Sequence, residues 1–412
     1  MVLIPSKMGR INERALLGRL QHIGHASRAD LAKSLGLSQP TSGRIADDLL
    51  RLGVLEEVDE VAAASLPRAR AGNRRGKAGR PGRILRLNRT QPRFLVIQLD
   101  VSETNLAALP LGVEPEDHWT FQTKTSSSAE AWVRQLKAVA AKIPRYDYWG
   151  VLVSVPGIVD EAHARVLFSP NLHWTEAVEL RALIQQVWRA PVELVQEERA
   201  LALGHQSVDA SEEDFLLVDF GEGVGGAAII SGRLYSSPLP LSVELGHTPV
   251  LGNRRKCGCG AFGCVETLIS KRGLIRSFAS EHHSAGSAWE SLQEAVAAHG
   301  LPAWLARTLD ATGDVISGAL NVTGLRRLIL TGILTELAPS VVEYLCNAIM
   351  RGSMWARFGE LSIETAPRRR AAGLVAVGID RLALPMEKNR WIGEMPPPAP
   401  NRAFRGWLSY NE

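Results

Sequence analysis

Hydrophobic residues recur at helical spacing between Ile11 and Leu55, and they predict three short helices. Ser27 precedes the second helical pattern and Ser38 precedes the third, where serine is a preferred N-cap residue. Gly36 lies between these two patterns and predicts a tight turn. Two helices joined by such a turn form a helix-turn-helix, which binds DNA through its second helix, although plain helical hairpins share this pattern.

The third predicted helix, in QPTSGRIADDLLRLG, would present polar side chains at its N-terminal end. We expect Ile45 and Leu49 to face inward. The four side chains expected to point outward, toward base edges in the major groove, are Gln39, Thr41, Ser42 and Arg44. Arg44 is the predicted guanine contact, because arginine pairs well with that base.

Residues 53–58 and 84–87 predict two strands of a wing beside the helices. A long basic segment, about 59–83, separates them, and its part SLPRARAGNRRGKAGRPGR contains no acid. One interpretation is an arm that contacts phosphates or the minor groove through Arg74, Arg75 and Arg80. The other interpretation is a solvated linker.

From Phe94 onward, apolar runs alternate with amphipathic segments such as AEAWVRQLKAVAAKI. The runs are FLVIQLDV, GVLVSVPGIVD, VELVQ, FLLVDFGEGVGGAAII and LRRLILTGIL. This alternation predicts an α/β body whose sheets are covered by helices.

Composition makes nucleic-acid binding a local property of the chain. The formal net charge is only +4 over 412 residues, a length that suggests two or three domains. The chain has four cysteines, three of them candidate metal ligands, and this usage favours a reducing compartment. We expect a cytoplasmic protein, because no apolar run approaches a membrane span and the first residues are too polar for a signal peptide.

The segment ELGHTPVLGNRRKCGCGAFGCVE, residues 244–266, predicts a metal site. Its candidate ligands are His247, Cys257, Cys259 and Cys264, a tetrahedral set suited to structural zinc. Glycines beside the thiols allow the tight backbone that such a site requires. Three cysteines packed as small hydrophobic residues are the alternative, whereas the spacing does not match a redox C-x-x-C motif.

Two acids, Glu244 and Glu266, flank this loop and could accept hydrogen bonds from sugar hydroxyls once the metal fixes them. Solvated surface acids are the alternative interpretation.

These motifs resemble those of the ROK family (repressors, open reading frames and sugar kinases). ELGH followed by CGCGAFGCVE is similar to the family signature, and DLAKSLGLSQPTSGRIADDLLRLGVLEE with a later GRP is similar to the DNA-binding half of its repressors. The resemblance implies a winged helix-turn-helix over residues 1–90, a two-lobed actin-like body of the sugar-kinase and ribonuclease H type over 91–384, and a C-terminal tail over 385–412. It also implies ligand-binding roles for Asn171, Gln196, Glu197, Glu244, His247 and Glu266.

Several features that the family's kinases use for phosphoryl transfer are altered in this chain. The first phosphate turn reads DVSET at 100–104, without the family's glycines and with Glu103 near the expected phosphates. The catalytic Asn-Asp pair is replaced by the longer Gln196 and Glu197. The second Gly-rich loop, 221–226, is retained, but only one glycine remains at 331–332.

We therefore expect no catalytic residues and no enzyme activity. The resemblance to xylose, N-acetylglucosamine and glucose repressors of this family implies a zinc-containing homo-oligomer, dimer or tetramer. It would bind an operator in double-stranded DNA, repress carbohydrate-metabolism genes and respond to a sugar or sugar derivative. The alternatives are an ATP-dependent sugar kinase with an appended DNA-binding domain, and a regulator that answers to a protein partner.

Overall fold

The computed structural model describes residues 5–58, 83–112, 117–144, 146–209, 211, 213–235, 243–282 and 288–383. The expected DNA contacts Arg74, Arg75 and Arg80 of the wing, and the tail 385–412, lie outside the described residues. No helix in the described ranges combines the length and the apolar character needed to cross a membrane.

The N-terminal unit, residues 5–58 and 83–87, contains three helices and a small sheet. Its elements are α1 (Pro5–Ile23), β1 (His25–Ser27), α2 (Arg28–Ser34), α3 (Gln39–Arg51), β2 (Leu55–Val58) and β3 (Ile84–Leu87). The strands form an antiparallel sheet in the order β1-β3-β2. The three helices and the β2–β3 pair follow the sequence prediction, whereas the short strand β1 was not predicted.

The helix boundaries in this unit arise from local side-chain chemistry. The Asp30 N–H donates to Ser27 Oγ at 3.1 Å, and the Thr41 N–H donates to Ser38 Oγ at 3.3 Å. Both predicted N-caps are confirmed. Gly36 has a φ of +64°, which allows the turn between α2 and α3 to reverse the chain.

The expectation that Ser42 points outward is wrong. Ser42 is completely buried, and its hydroxyl donates to the Arg28 carbonyl oxygen at 3.3 Å. The cause is helical periodicity, since Ser42 precedes Ile45 and Leu49 by three and seven residues and shares their inward face. The hydroxyl therefore ties α3 to the start of α2.

The first lobe is built on a five-stranded sheet in the order β10-β7-β4-β5-β6. Its elements are β4 (Phe94–Leu99), β5 (Glu103–Leu109), β6 (Phe121–Lys124), α4 (Ala129–Ala140), β7 (Gly150–Val155), β8 (Ile158–Asp160), β9 (Arg165–Phe168), a 3-10 turn (His173–Thr175), α5 (Leu180–Gln185) and β10 (Val192–Gln196). Every residue of β4, β7 and β10 is buried, as expected for strands covered on both faces. Helix α6 (Glu197–Val208) follows β10 without a loop.

The second lobe repeats this sheet arrangement in the order β13-β12-β11-β14-β15. Its elements are β11 (Phe215–Phe220), β12 (Val224–Ile230), β13 (Arg233–Leu234), a 3-10 turn (Leu245–His247), α7 (Glu266–Ile269), α8 (Lys271–His282), α9 (Trp289–His299), α10 (Ala303–Thr323), β14 (Arg327–Gly332), 3-10 turns (Ile333–Glu336 and Trp355–Phe358), α11 (Pro339–Gly352) and β15 (Ser362–Thr365). In both lobes an antiparallel three-stranded meander is extended by two parallel strands next to its first strand. The predicted α/β, two-lobed architecture is confirmed.

Helix α12 (Arg370–Gly378), which ends in a π-helical turn (Ile379–Ala383), packs against α6 through glycines. A Cβ added at Gly204 would lie 1.9 Å from the Arg369 carbonyl oxygen, and one at Gly373 would lie 1.8 Å from the Ala200 carbonyl oxygen. The two helix backbones are therefore in direct contact. No side chain larger than hydrogen fits at either glycine without moving the helices apart.

The N-terminal unit shares a hydrophobic core with the first lobe. Leu16 and Leu20 of α1 belong to the same buried cluster as Phe94 of β4 and Leu374 of α12. Helix α1 also contacts α6 directly. The N-terminal unit is thus anchored to the helix pair α6–α12.

Candidate functional site

A cavity of about 230 Å³ lies in the cleft between the two lobes. Every ligand-binding residue implied by the family resemblance lines it: Asn171, Gln196, Glu197, Glu244, His247 and Glu266. They come from separate parts of the chain, because strand and helix ends meet at the cleft. Gln196 ends β10, Glu197 begins α6 and Glu266 begins α7.

The cleft is lined by both lobes, which are joined by hydrogen bonds. Arg272 of α8 donates to Asn171 Oδ1 at 3.2 Å. Gly258 of the cysteine loop also lies against the first lobe, since a Cβ there would be 3.0 Å from Pro170 Cβ. The cysteine loop therefore contacts the turn that presents Asn171.

The four predicted metal ligands converge beside the cleft. The ligand atoms of His247, Cys257, Cys259 and Cys264 all lie within 4.8 Å of one another. Cys259 Sγ and Cys264 Sγ are 3.7 Å apart, and Cys257 Sγ is 3.6 Å from His247 Nδ1. The chain thus forms a Cys3His cluster that could hold a metal ion.

These separations fit a tetrahedral zinc ion. Zn–S bonds of about 2.3 Å and Zn–N bonds of about 2.0–2.1 Å place tetrahedral ligand atoms roughly 3.8 Å apart for two sulfurs and roughly 3.6 Å apart for sulfur and nitrogen. Burial raises the pKa of the Cys257 thiol, and it raises the pKa of Cys264 to about 11. A bound dication would reverse this effect by stabilising the thiolates.

His247 can serve both the metal cluster and the cleft because an imidazole has two nitrogens. Nδ1 faces Cys257, and the residue also lines the cavity. Glu266 is similarly shared, since its Oε1 lies 3.6 Å from Cys257 Sγ and its Oε2 accepts the Val224 N–H at 3.0 Å. The metal cluster and the cleft are therefore contiguous.

Glu197, which matches the catalytic base of the family's kinases, forms a buried ion pair. Arg370 Nε donates to Glu197 Oε1 at 2.6 Å, and a second guanidinium nitrogen also contacts this carboxylate. Glu197 and Arg370 are 8% and 6% exposed. Burial raises the pKa of Glu197, while the nearby Arg370 opposes this rise. A carboxylate engaged in this way is poorly placed to accept a proton from a substrate.

Arg368 forms a second pair on the same side of the cleft. Its Nε and Nη2 donate to the two carboxylate oxygens of Asp219 at 2.8 and 2.9 Å, and Nη2 also donates to the Phe220 carbonyl oxygen at 2.9 Å. The sequence analysis missed both Arg368 and Arg370. The available signal was the run of three arginines, 368–370, directly before the apolar segment AAGLVAVG.

Two glycines of the retained loop 221–226 accommodate carboxylates. A Cβ at Gly223 would lie 2.8 Å from Glu266 Oε2, and one at Gly225 would lie 2.3 Å from Glu198 Oε1. The Val224 N–H, which could otherwise bind an anion, donates to Glu266. These glycines provide space for acidic side chains, so their presence does not indicate a phosphate site.

The first phosphate turn differs from the sequence interpretation in one respect. Val101 and Ser102 line the cavity, but Glu103 begins β5, is exposed and is not among the cavity residues. Asp100 lines the cavity at this turn instead, and burial raises its pKa. At the retained glycine of 331–332, Gly332, a Cβ would lie 2.1 Å from the Phe220 carbonyl oxygen.

On the surface of the N-terminal unit, Gln39 and Arg44 are exposed at the start of α3. Thr41 is half-buried, and its hydroxyl lies 2.8 Å from Ser38 Oγ. Three of the four predicted side chains on α3 are thus at least partly accessible.

The sheet order and the interlobe cleft define an actin-like body of the type found in sugar kinases and ROK regulators. The chain belongs to the ROK family, whose sequence pattern matches residues 97–374.

Proteins similar in sequence to this chain include regulators and enzymes. A xylose repressor of Caldicellulosiruptor bescii is 26% identical over 275 residues, which are 65% of this chain and 65% of that protein. The xylose repressor of Bacillus subtilis is 24% identical over 275 residues, 65% of this chain and 68% of that protein. An N-acetylmannosamine kinase of Shigella flexneri is 26% identical over 189 residues, 45% of this chain and 65% of that enzyme. The chain thus spans about two thirds of the length of these relatives.

Two solved structures show the same fold. A ROK family transcriptional regulator, a homologue of the E. coli MLC protein, has a TM-score of 0.68 at 18% identity and matches 90% of this chain and 97% of that one. A ROK family glucokinase from Streptomyces griseus has a TM-score of 0.57 at 21% identity and matches 69% of this chain and 97% of that one. The match to the regulator extends over more of this chain than the match to the kinase.

Proposed function

We propose that this chain is a DNA-binding transcriptional repressor of carbohydrate-metabolism genes, controlled by a sugar that binds in the cleft and is not phosphorylated there. The observation that carries the proposal is the buried Glu197–Arg370 pair, which engages the would-be catalytic base. The sugar-binding positions implied by the family resemblance all line the same cleft. The xylose repressors among the relatives support this function.

DNA binding is assigned to the N-terminal unit, acting as a winged helix-turn-helix within residues 1–90. Gln39 and Arg44 would contact base edges from the start of α3, because they are exposed where recognition helices enter the major groove. The wing arginines Arg74, Arg75 and Arg80 would contact phosphates or the minor groove. Residues 91–384 would bind the effector and form the homo-oligomer.

The helix pair α6–α12 would couple the cleft to the DNA-binding unit. Glu197 begins α6 and Arg370 begins α12, so the buried ion pair joins the cleft ends of both helices. Both helices reach the N-terminal unit, and Arg14 Nη2 of α1 lies 3.1 Å from Asp380 Oδ1 just beyond α12. A sugar that binds the open and closed cleft unequally would shift this pair, and with it the spacing of two recognition helices set for half-sites roughly 34 Å apart.

Structural zinc is assigned to the Cys3His cluster. His247, Cys257, Cys259 and Cys264 would hold the ion, which would supply no catalytic chemistry because all four tetrahedral positions are protein ligands. The closed loop would keep Glu266 and Gly258 in their contacts with the cleft and the first lobe.

The decisive experiment is a DNA-binding titration by fluorescence anisotropy, using the full-length zinc-loaded protein and a duplex selected from a random pool. Arg44→Ala should weaken binding about 5- to 100-fold, the effect of losing one bidentate base contact worth ~1–3 kcal/mol. Arg134→Ala, an exposed arginine on α4, is the matched control and should leave affinity unchanged. Equal effects of the two substitutions would count against α3 as the recognition helix.

Sugar control is tested in the same titration. A panel of sugars added to the protein–DNA complex should contain one that changes the affinity, and Glu244→Gln should abolish this response while DNA binding without sugar persists. A sugar response that survives Glu244→Gln would remove this residue from the effector site.

A sugar kinase is the second candidate, favoured by the N-acetylmannosamine kinases among the relatives. Sugar-dependent ADP release would establish it and refute the non-catalytic proposal. We expect no release above the no-sugar background with any member of the panel.

A further inference from the structure

The cleft contains more acidic than basic side chains. Three cationic side chains line it: Lys271, Arg368 and Arg370. Eight carboxyl groups line it: Asp100, Glu197, Glu198, Asp219, Glu222, Glu244, Glu266 and Glu336. Arg368 and Arg370 are already paired with Asp219 and Glu197, so Lys271 is the remaining cation among the cavity residues.

Two of these acids have incomplete hydrogen bonding. One oxygen of Glu198, Oε2, and one of Glu244, Oε1, are inaccessible to solvent and have no partner among the described residues. A buried acceptor without a donor is destabilising, and more so when the group is charged. A ligand that donates to both oxygens would recover this energy.

Gly225 leaves space for the Glu198 carboxylate beside the cleft. Oε1 of this residue lies where a Cβ at position 225 would be only 2.3 Å away, so only glycine at 225 leaves space for the carboxylate. Burial raises the pKa of Glu198 well above its usual value, and the neighbouring Glu197 and Glu244 raise it further. Glu198 therefore retains its proton to a higher pH than a free glutamate when the cleft is empty, and a cationic ligand would oppose the burial and repulsion that raise its pKa.

The unpartnered oxygens and the excess of acidic side chains together indicate the chemistry of the ligand. A sugar hydroxyl can donate one hydrogen bond, but it cannot offset repulsion between carboxylates. A protonated amine offers three donors and a positive charge, so it satisfies the orphan oxygens and also offsets the repulsion. A phosphate or carboxylate on the ligand would add to the negative charge in a loop whose Val224 N–H is already engaged.

We propose that the effector is an amino sugar whose protonated amine binds between Glu198 and Glu244. This inference rests on the proposed function and specifies the chemical class of its effector. Glu198 thereby becomes a specificity-determining residue, additional to the ligand positions implied by the family resemblance.

The test is isothermal titration calorimetry of the full-length zinc-loaded protein at neutral pH. D-glucosamine, D-galactosamine and D-mannosamine are each compared with the parent hexose and the N-acetyl derivative, and D-glucose 6-phosphate is included as an anionic probe. At least one amino sugar should bind about tenfold more tightly than both uncharged counterparts, because a hydrogen bond from a charged donor to a carboxylate is stronger than one from a neutral hydroxyl.

Glu198→Gln keeps the shape of the side chain and removes its charge. It should reduce the ratio of amino-sugar to parent-hexose affinity to less than about threefold. Glu103→Gln removes an exposed acid outside the cavity and should leave the ratio unchanged. A melting temperature for each variant verifies that the fold is retained.

Three results would overturn the inference while leaving the proposed function intact. They are tighter binding of a parent hexose or N-acetyl sugar, tighter binding of the phosphate ester, and an amine preference that Glu198→Gln does not reduce. If no sugar of any charge binds or alters DNA affinity, both the inference and sugar control are refuted.

Discussion

Replacing Arg370 with leucine tests whether the ion pair at the base of the cleft organises this part of the protein. The substitution leaves the Glu197 carboxylate buried without its guanidinium partner. Removing one member of a buried pair costs about 3–5 kcal/mol, chiefly because the remaining charge is uncompensated. Since both residues are more than nine-tenths buried, we expect a loss in this range.

Urea unfolding monitored by tryptophan fluorescence measures this loss in the zinc-loaded protein. The double variant Arg370→Leu/Glu197→Leu should be more stable than Arg370→Leu alone, because it removes the uncompensated charge together with its partner. Arg326→Leu is the matched control, since Arg326 pairs with Glu360 on the surface and both side chains are about half exposed. The control should lose no more than about 1 kcal/mol.

The pH dependence supplies a second signature. The folded-state pKa of Glu197 is raised above its usual value of 4.5, so between the two values the folded protein retains a proton that the unfolded chain releases. Glu197 therefore contributes its full stabilisation at pH values below its unfolded-state pKa. This stabilisation is lost as the pH rises through its folded-state pKa. Loss of Arg370 should raise the folded pKa further, and the deficit of Arg370→Leu should shrink as pH falls toward 4.5. A deficit equal to that of the surface control, or one independent of pH, would refute the reasoning.

Three further substitutions test other parts of the fold. Gly373→Ala should destabilise the protein by at least about 1–3 kcal/mol, because its Cβ would overlap a carbonyl of α6. Gly318→Ala, in open space on α10, is the control and should not destabilise the protein. Similar melting temperatures of the two variants would contradict the close contact between α6 and α12. Cys264→Ser should lower the zinc content measured by atomic absorption below one ion per chain, and full retention would exclude Cys264 as a ligand. Ser42→Ala should cost about 1 kcal/mol in urea unfolding, whereas Gln39→Ala should change stability by less than about 0.5 kcal/mol; the reverse order would contradict the burial of Ser42.

Local chemistry made much of the N-terminal unit predictable from sequence. Ser27 and Ser38 act as caps through groups only three residues away, so the sequence contains both partners of each interaction. Ser42 was placed on the wrong face because a polar residue type outweighed helical periodicity in the interpretation. Its hydroxyl is satisfied by the Arg28 carbonyl, a partner from another helix that no local pattern specifies.

At the cleft, too, interactions within a short segment were predictable from sequence, whereas contacts between distant residues were not. The four candidate metal ligands lie within one short loop, so spacing alone predicted their convergence. Arg370 and Glu197 are separated by 173 residues, and only the folded chain brings them together. The Gly-rich loop 221–226 is recognisable in the sequence. The sequence could not show that Gly225 faces Glu198 and Gly223 faces Glu266.

The backbone contact between α6 and α12 also has a consequence for how the protein is made. Synthesis proceeds from the N-terminus, yet the core that supports α1 and β4 includes side chains of α12, near the end of the described chain. While the ribosome is still translating the second lobe, Leu16 and Phe94 lack the surface formed by Leu374, and the groove at Gly204 is empty. The N-terminal unit can therefore acquire this part of its support only after residue 374 has been synthesised, so a chain interrupted in the second lobe would lack a fully anchored N-terminal unit.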